Sequence, residues 1–297
     1  MRNEDIMKSS ILTTDAGNGL LQPEQVKQFW TDAYDKTQLV SLITREFHRA
    51  KSGTLHKLFV PGRILKPKQE ATAGTPQGVS YGEVTYQTKA VRLDWEISGE
   101  QLRENIEGAS FEQTVANEFL KAISVDVEDL SLNGDEASAD NFLKMNDGFI
   151  KQIELGGKVH DAGGEKLSLD VFYAAINKME NKYVTANLKW IMSPKVKRKW
   201  EAELYKANVA NGGGYIESLS NAPAGQQIII VDKMPEDKIL LVDPKNLTIV
   251  NTYDMMVKKD ATSKEAIQRD MVFYVVHFDI DFIVQHAPAA LVLKNFA

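Results

Sequence analysis

Residues Gly82–Ser98, GEVTYQTKAVRLDWEIS, decide the fold. In their second half the side chains alternate, with Val91, Leu93, Trp95 and Ile97 on one face and Arg92, Asp94 and Glu96 on the other. Successive residues of a strand point to opposite faces, so this is the pattern of a half-buried β-strand. Upstream, Leu55, Phe59, Ile64 and Leu65 lie in a second extended stretch that contains Pro61. Between the two, residues 66–82 are polar and carry Gly74, Pro76, Gly78 and Gly82. The pattern predicts one long β-hairpin over residues 54–97 with a polar tip.

Size makes that hairpin informative. An arm of roughly 10–15 residues at about 3.3 Å each reaches about 35–50 Å. A compact chain of this length has a radius of gyration of only about 19 Å. A lone two-stranded ribbon is marginal in water, so the arm is expected to lie on a neighbouring subunit. Pattern alone leaves open a large internal sheet with a long loop. The expected contact residues are Lys66, Lys68, Gly74, Pro76 and Gly78 at the tip, with Tyr81, Tyr86, Arg92 and Trp95 on the returning arm.

Helices follow on the C-terminal side. Ser98 and Gln101 have capping-box spacing ahead of Leu102 and Ile106, and Gly108 ends that short helix. Ser110 and Gln113 repeat the box for a helix over 110–133, striped with Phe111, Val115, Phe119, Ala122, Ile123, Val127 and Leu130. At about 1.5 Å per residue such a helix is roughly 33 Å long and spans the body as a spine. Residues 135–166 are rich in turn signals. Ser168 and Ser193 cap two further helices, the second opening on Pro194, with the short strand 188–192 between them. From Gln226 onward strands follow one another, including a long alternating one over 271–285, and 289–293 closes the chain. On the N-terminal side, Pro23 opens a helical segment with Val26, Phe29, Trp30 and Ala33 on one face. Residues 1–21 are a polar arm. The fold class is α+β, with helices packed on mostly antiparallel sheets.

Composition narrows the function classes. The chain has 297 residues, enough for a substantial core. It has no cysteine, hence no disulfide and no thiolate metal site, which suits a reducing cytoplasm. No apolar leader or membrane-length run is present, so no membrane partner is expected. The net charge of -6 does not fit a dedicated DNA clamp.

No catalytic signature stands out. HExxH and GxxxxGK[ST] are both absent, so no catalytic residue, cofactor or metal is expected. Two constellations have competing readings. His277, Asp279 and Asp281 share one face of the last long strand, as a hard-metal or acid/base set or, more simply, as its solvated face. Lys195, Lys197, Arg198 and Lys199 read as a phosphate patch or as the wet face of a helix balanced by Glu201 and Glu203. Asp126, Glu128 and Asp129 are likewise taken for the wet face of the long helix.

The order of these pieces resembles the tailed-bacteriophage major capsid protein family, whose shell fold is shared with encapsulins. Gly82–Ser98 running into Gly99–Asn105 resembles the family's returning arm of an extended loop and the short helix after it. Phe111–Gly134 resembles its spine helix, and Asn146–Ile150 the turn beyond. Trp190–Lys195 is similar to a strand-to-helix step, Lys233–Asp243 to a turn into the axial domain, and Ala287–Leu293 to the last strand. The resemblance covers about residues 25–295. It implies an arm (1–21), a helical segment (22–53), an extended hairpin (54–97), a peripheral domain (98–225) with the spine helix, and an axial domain (226–297). It also implies self-assembly as pentamers and hexamers into an icosahedral virion shell around double-stranded DNA, with no enzymatic role. A protein-cargo compartment is the alternative. The short N-terminal arm leaves room for a separate scaffolding protein besides a portal. Lys57, Lys66 and Lys68 lie in the loop that some relatives crosslink, but no partner asparagine is identifiable.

Overall fold

A computed structural model describes residues 19–20, 23–34, 37–59, 80–104, 111–210 and 220–297. In chain order the elements are β1 (Gly19–Leu20), α1 (Pro23–Tyr34), α2 (Gln38–Leu42), β2 (Thr44–His48), β3 (Ser52–Phe59), β4 (Ser80–Gln87), β5 (Lys89–Ser98), α3 (Gly99–Glu104) and α4 (Phe111–Asn133). They continue with α5 (Phe149–Gly156), β6 (Lys158–Asp161), α6 (Leu169–Asn177), β7 (Lys189–Met192), α7 (Pro194–Ala210), β8 (Gln227–Ile230) and β9 (Lys238–Val242). The chain closes with β10 (Leu247–Thr252), β11 (Met256–Asp260), α8 (Lys264–Arg269), β12 (Met271–Val284) and β13 (Leu291–Lys294).

Local chemistry explains many boundaries. The Ser98–Gln101 capping box forms in both directions: the Gln101 amide donates to Ser98 Oγ (3.1 Å), and the Ser98 amide to Gln101 Oε1 (3.3 Å). Ser168 and Ser193 accept from the Val171 and Val196 amides, each at 3.3 Å. The spine helix α4 stops at Asn133, where Gly134 lies against the 146–148 turn; a Cβ there would sit 2.3 Å from the Asn146 carbonyl. The Ser110 and Gly108 signals and residues 1–18 of the arm lie outside the described residues.

Two sheets organise the body. The larger one has β12 at its centre. Along one edge β12 pairs with β11 and then β10, and along the other with β5, all antiparallel; β2 joins β10 in parallel. Its inner face carries Tyr274, Val276, Phe278, Ile280, Phe282 and Val284, all buried as the alternation predicts. Against this face lie Trp30 of α1, edge-on to Phe278 at 4.9 Å, and the α4 stripe Leu120, Ile123, Val127 and Leu130. The second sheet runs β6-β13-β9-β7-β8. Its inner strands β13, β9 and β7 are apolar at all but one position each, because both faces are covered. One face joins the main core through Ile191, Leu240 and Val292. The other packs on α6 and α7, where Phe172 meets Trp190 and Trp200 edge-on at 4.9 and 5.0 Å.

Three expectations change. Residues 22–53 are not wholly helical, because 44–48 pair with β10. The turn-rich 135–166 stretch holds the helix α5. The returning arm of the expected 54–97 hairpin divides at Thr88: β4 pairs with β3, while β5 pairs with β12 over Lys89↔Ile280 to Ser98↔Met271. A strand's own period does not name its partner, and the most regular part of the stretch had its partner about 180 residues away.

Candidate functional site: the hairpin and its anchorage

The β3–β4 ribbon pairs over eight positions, from Ser52↔Gln87 to Phe59↔Ser80. Among the described residues it meets the body near its base. There Leu55, Val84 and Tyr86 cover Val250 and Ile283 on the outer face of the large sheet. The Tyr86 ring stacks on His48 at 4.9 Å and lies across Gly53, its cross-strand partner. A Cβ on Gly53 would come within 2.6 Å of Tyr86 Oη, so only glycine admits the ring here.

Polar ties complete the anchorage. Thr88 donates its amide and its hydroxyl to the Lys51 carbonyl, at 2.8 and 2.9 Å, closing the ribbon's base. Lys51 Nζ lies 3.0 Å from Asp279 Oδ2, which also accepts from Thr252 Oγ1 at 3.2 Å. Asp279 is buried while Lys51 stays mostly exposed. The Gln87 amide donates to Asp281 Oδ2 at 2.8 Å. Asp281 Oδ1 accepts from the Phe282 amide at 2.9 Å and from Asn146 Nδ2 at 3.2 Å. Burial pushes the Asp281 carboxyl above the usual carboxylate range, against the pull of these donors. Lys89 pairs with Glu136 on the nearby turn. That turn is held by Lys151, which bonds Asp135 and Asp147 and is pushed up to about 12 by them. An open groove of about 660 Å³ remains between Thr85–Gln87, Gln152 and Phe282–Ile283.

These contacts correct the reading of β12. Asp279 and Asp281 do not form a solvated face, and N–H and hydroxyl donors already occupy their oxygens; only His277 is exposed. Among the described residues no group of three or more His, Cys, Asp or Glu is placed to hold a metal. Glu128 is also buried. The Leu39 amide at the start of α2 bonds it, yet burial raises its carboxyl. It therefore leaves the wet face of α4, where Asp126 stays exposed and Asp129 pairs with Lys233 at 3.5 Å. The α7 cations are an outer face: Lys195 pairs with Glu236, Lys197 with Glu201 at 3.4 Å, and Arg198 and Lys199 are exposed.

The expected contact residues divide. Lys66, Lys68, Gly74, Pro76 and Gly78 lie outside the described residues, as does the side chain of Tyr81. Arg92 is exposed and pairs with Asp94 at 2.7 Å. Tyr86 and Trp95 are taken up within the chain. Trp95 is 8% exposed and stacks between Phe119 of α4 and Tyr274 of β12, at 4.7 and 5.0 Å. The signal for Trp95 was available, since the alternation already grouped it with Val91, Leu93 and Ile97.

A body of two sheets around a long helix, with an outlying ribbon, matches known proteins along the whole chain. The Phage capsid family model covers residues 17–295. The chain belongs to the phage capsid family. This capsid protein is 23% identical over 310 residues to YqbE of Bacillus subtilis (strain 168), named as a prophage capsid protein, covering 97% of each chain. Its fold resembles the procapsid of satellite phage P4 with TM-score 0.70, at 17% identity, over 100% of this chain and 98% of that one. It also resembles the capsid of an empty GTA particle, with TM-score 0.64, 16% identity and coverage of 96% and 94%. A virus-like particle from Pyrococcus furiosus matches with TM-score 0.55, 14% identity and coverage of 90% and 96%. As a member of this family the chain is a capsid shell protein. No described helix is long and apolar enough to cross a membrane.

Proposed function

We propose that this chain is the major capsid protein of a phage head, assembling as pentamers and hexamers into an icosahedral shell around double-stranded DNA. The ribbon carries this reading. Its two eight-residue strands pack on the body at their base, and a two-stranded ribbon needs further cover to be stable. A neighbouring copy is the cover that a closed symmetric shell supplies. The residues that matter are then contact surfaces, with the tip around Lys66–Gly78 and the exposed Arg92 face turned towards other subunits. Many modest contacts add up when they close symmetrically. A net charge of -6 lets the wall enclose DNA without gripping it. Residues 1–21 act as a second arm, and scaffolding and portal proteins are separate chains.

Deleting residues 67–82 tests the reading. The expected result is a folded subunit, with unchanged circular dichroism, that forms no stable shells. Normal shells from the deletion would remove the hairpin from assembly. The likeness to the Pyrococcus furiosus virus-like particle supports a second reading, a compartment around protein cargo. Nuclease-protected DNA in shells purified from the native source favours the head; a single co-purifying enzyme favours the compartment.

A further inference from the structure

The pairing of β5 with β12 stops at Lys89↔Ile280 although β12 runs on to Val284. An unbroken ladder would next set Thr88 opposite Asp281 and Gln87 opposite Phe282. Instead Thr88 turns to Lys51, and β12 continues with one edge vacated. Gln285 donates its amide to the Asn246 carbonyl on the β10 side (2.9 Å), so the backbone groups of Ile280, Phe282 and Val284 face the vacated edge.

Four of these groups have a side-chain partner. The Ile280 carbonyl accepts from Asn146 Nδ2 at 3.1 Å. The Phe282 amide donates to Asp281 Oδ1 at 2.9 Å. The Phe282 carbonyl accepts from Gln152 Nε2 at 2.7 Å, and the Val284 amide donates to Gln152 Oε1 at 3.0 Å. The Gln152 amide thus offers one acceptor and one donor to an i, i+2 pair, as a neighbouring strand would. Asp281 Oδ2 meanwhile holds the Gln87 amide of the departing strand.

We propose that Asn146, Gln152 and Asp281 form a surrogate strand, which closes the edge of β12 and fixes the point where the hairpin leaves the sheet. An open strand edge is a template for further pairing. Without the trio, residues 85–88 can zip onto 281–284 across the groove, and the ribbon changes direction. The trio holds it in the peeled position. The effect of this on shells rests on the assembly reading above; the clamp itself does not.

Amide hydrogen exchange on the full-length, unassembled chain tests the clamp, comparing wild type with Gln152→Leu, Asp281→Ala and Asp281→Asn. The first variant is expected to speed exchange at Val284 by about tenfold or more, and Asp281→Ala to do so at Gln87, because each loses its acceptor; Asp281→Asn keeps one oxygen for two sides, so exchange should rise at Gln87 or at Phe282. The Ala90–Ser98 ladder should keep its protection in at least Gln152→Leu and Asp281→Asn. Unchanged exchange at Val284 and Gln87 overturns the proposal. So does uniform loss of protection along the ladder in every variant, since the trio would then be general packing. Electron microscopy of the same samples separates the two readings. Local exchange changes with no shells from wild type would leave the clamp standing and the capsid assignment refuted.

Discussion

Replacing Trp95 with alanine separates a core role from a contact role. The indole is 8% exposed and lies between Phe119 and Tyr274, so it joins β5, β12 and the spine helix. A buried tryptophan covers roughly 200 Å². At about 25 cal/mol per Å² that is about 5 kcal/mol, at the upper end of the roughly 3–5 kcal/mol seen for Trp→Ala in cores. Against a typical domain stability of about 5–15 kcal/mol, the loss is large enough to lower the unfolding midpoint visibly. The assay is urea unfolding of the unassembled subunit, followed by far-ultraviolet circular dichroism, with Arg92→Ala alongside. Arg92 is exposed and pairs with Asp94, likewise exposed, and its removal should change stability by less than about 0.5 kcal/mol. A Trp95→Ala subunit within about 1 kcal/mol of wild type that nevertheless fails to assemble would refute the packing argument and return Trp95 to the interface.

Two further outcomes follow from buried groups. Gly53→Val places a branched side chain where Tyr86 lies, so the ring should leave His48 and the ribbon base lose amide protection, at a cost of about 1–3 kcal/mol; retained protection from Thr54 to Tyr86 would show the ring to be dispensable. Glu128 has its carboxyl raised in the folded state, so the native chain binds its proton at a pH where the unfolded chain does not. That contribution to stability grows as pH falls through the raised value towards the ordinary carboxylate range, and is lost as pH rises. Glu128→Gln should therefore be more thermostable than wild type at pH 8, with the gap closing by pH 5; a gap that widens on acidification contradicts the assignment.

Element types were legible where one local rule governs. The alternation through Val91–Ile97, the Ser98–Gln101 capping box and the apolar stripe of α4 each needs only neighbours in sequence. Partnership was not, because β5 takes a partner far along the chain. One clue did exist. The inward face carries even-numbered residues at Val84, Tyr86 and Thr88, then odd-numbered ones from Val91 onward. A one-residue slip flips every side chain, so this change of parity marks the break where the ribbon leaves. Asp279, Asp281 and Glu128 misled for another reason. A carboxylate at a polar position of an amphipathic pattern looks solvated, and only tertiary structure shows Lys51, the Gln87 amide or the Leu39 amide bound to it. Gln152 was invisible altogether, since a side chain that imitates a strand has no period.

The proposed role is the building of closed shells through contacts between copies of this chain. Negative-stain electron microscopy of the purified full-length protein across assembly conditions tests it most directly. Closed particles of uniform size, with rings of five and six subunits, are the predicted result; monomers that persist under every condition, including added scaffolding protein, would contradict it.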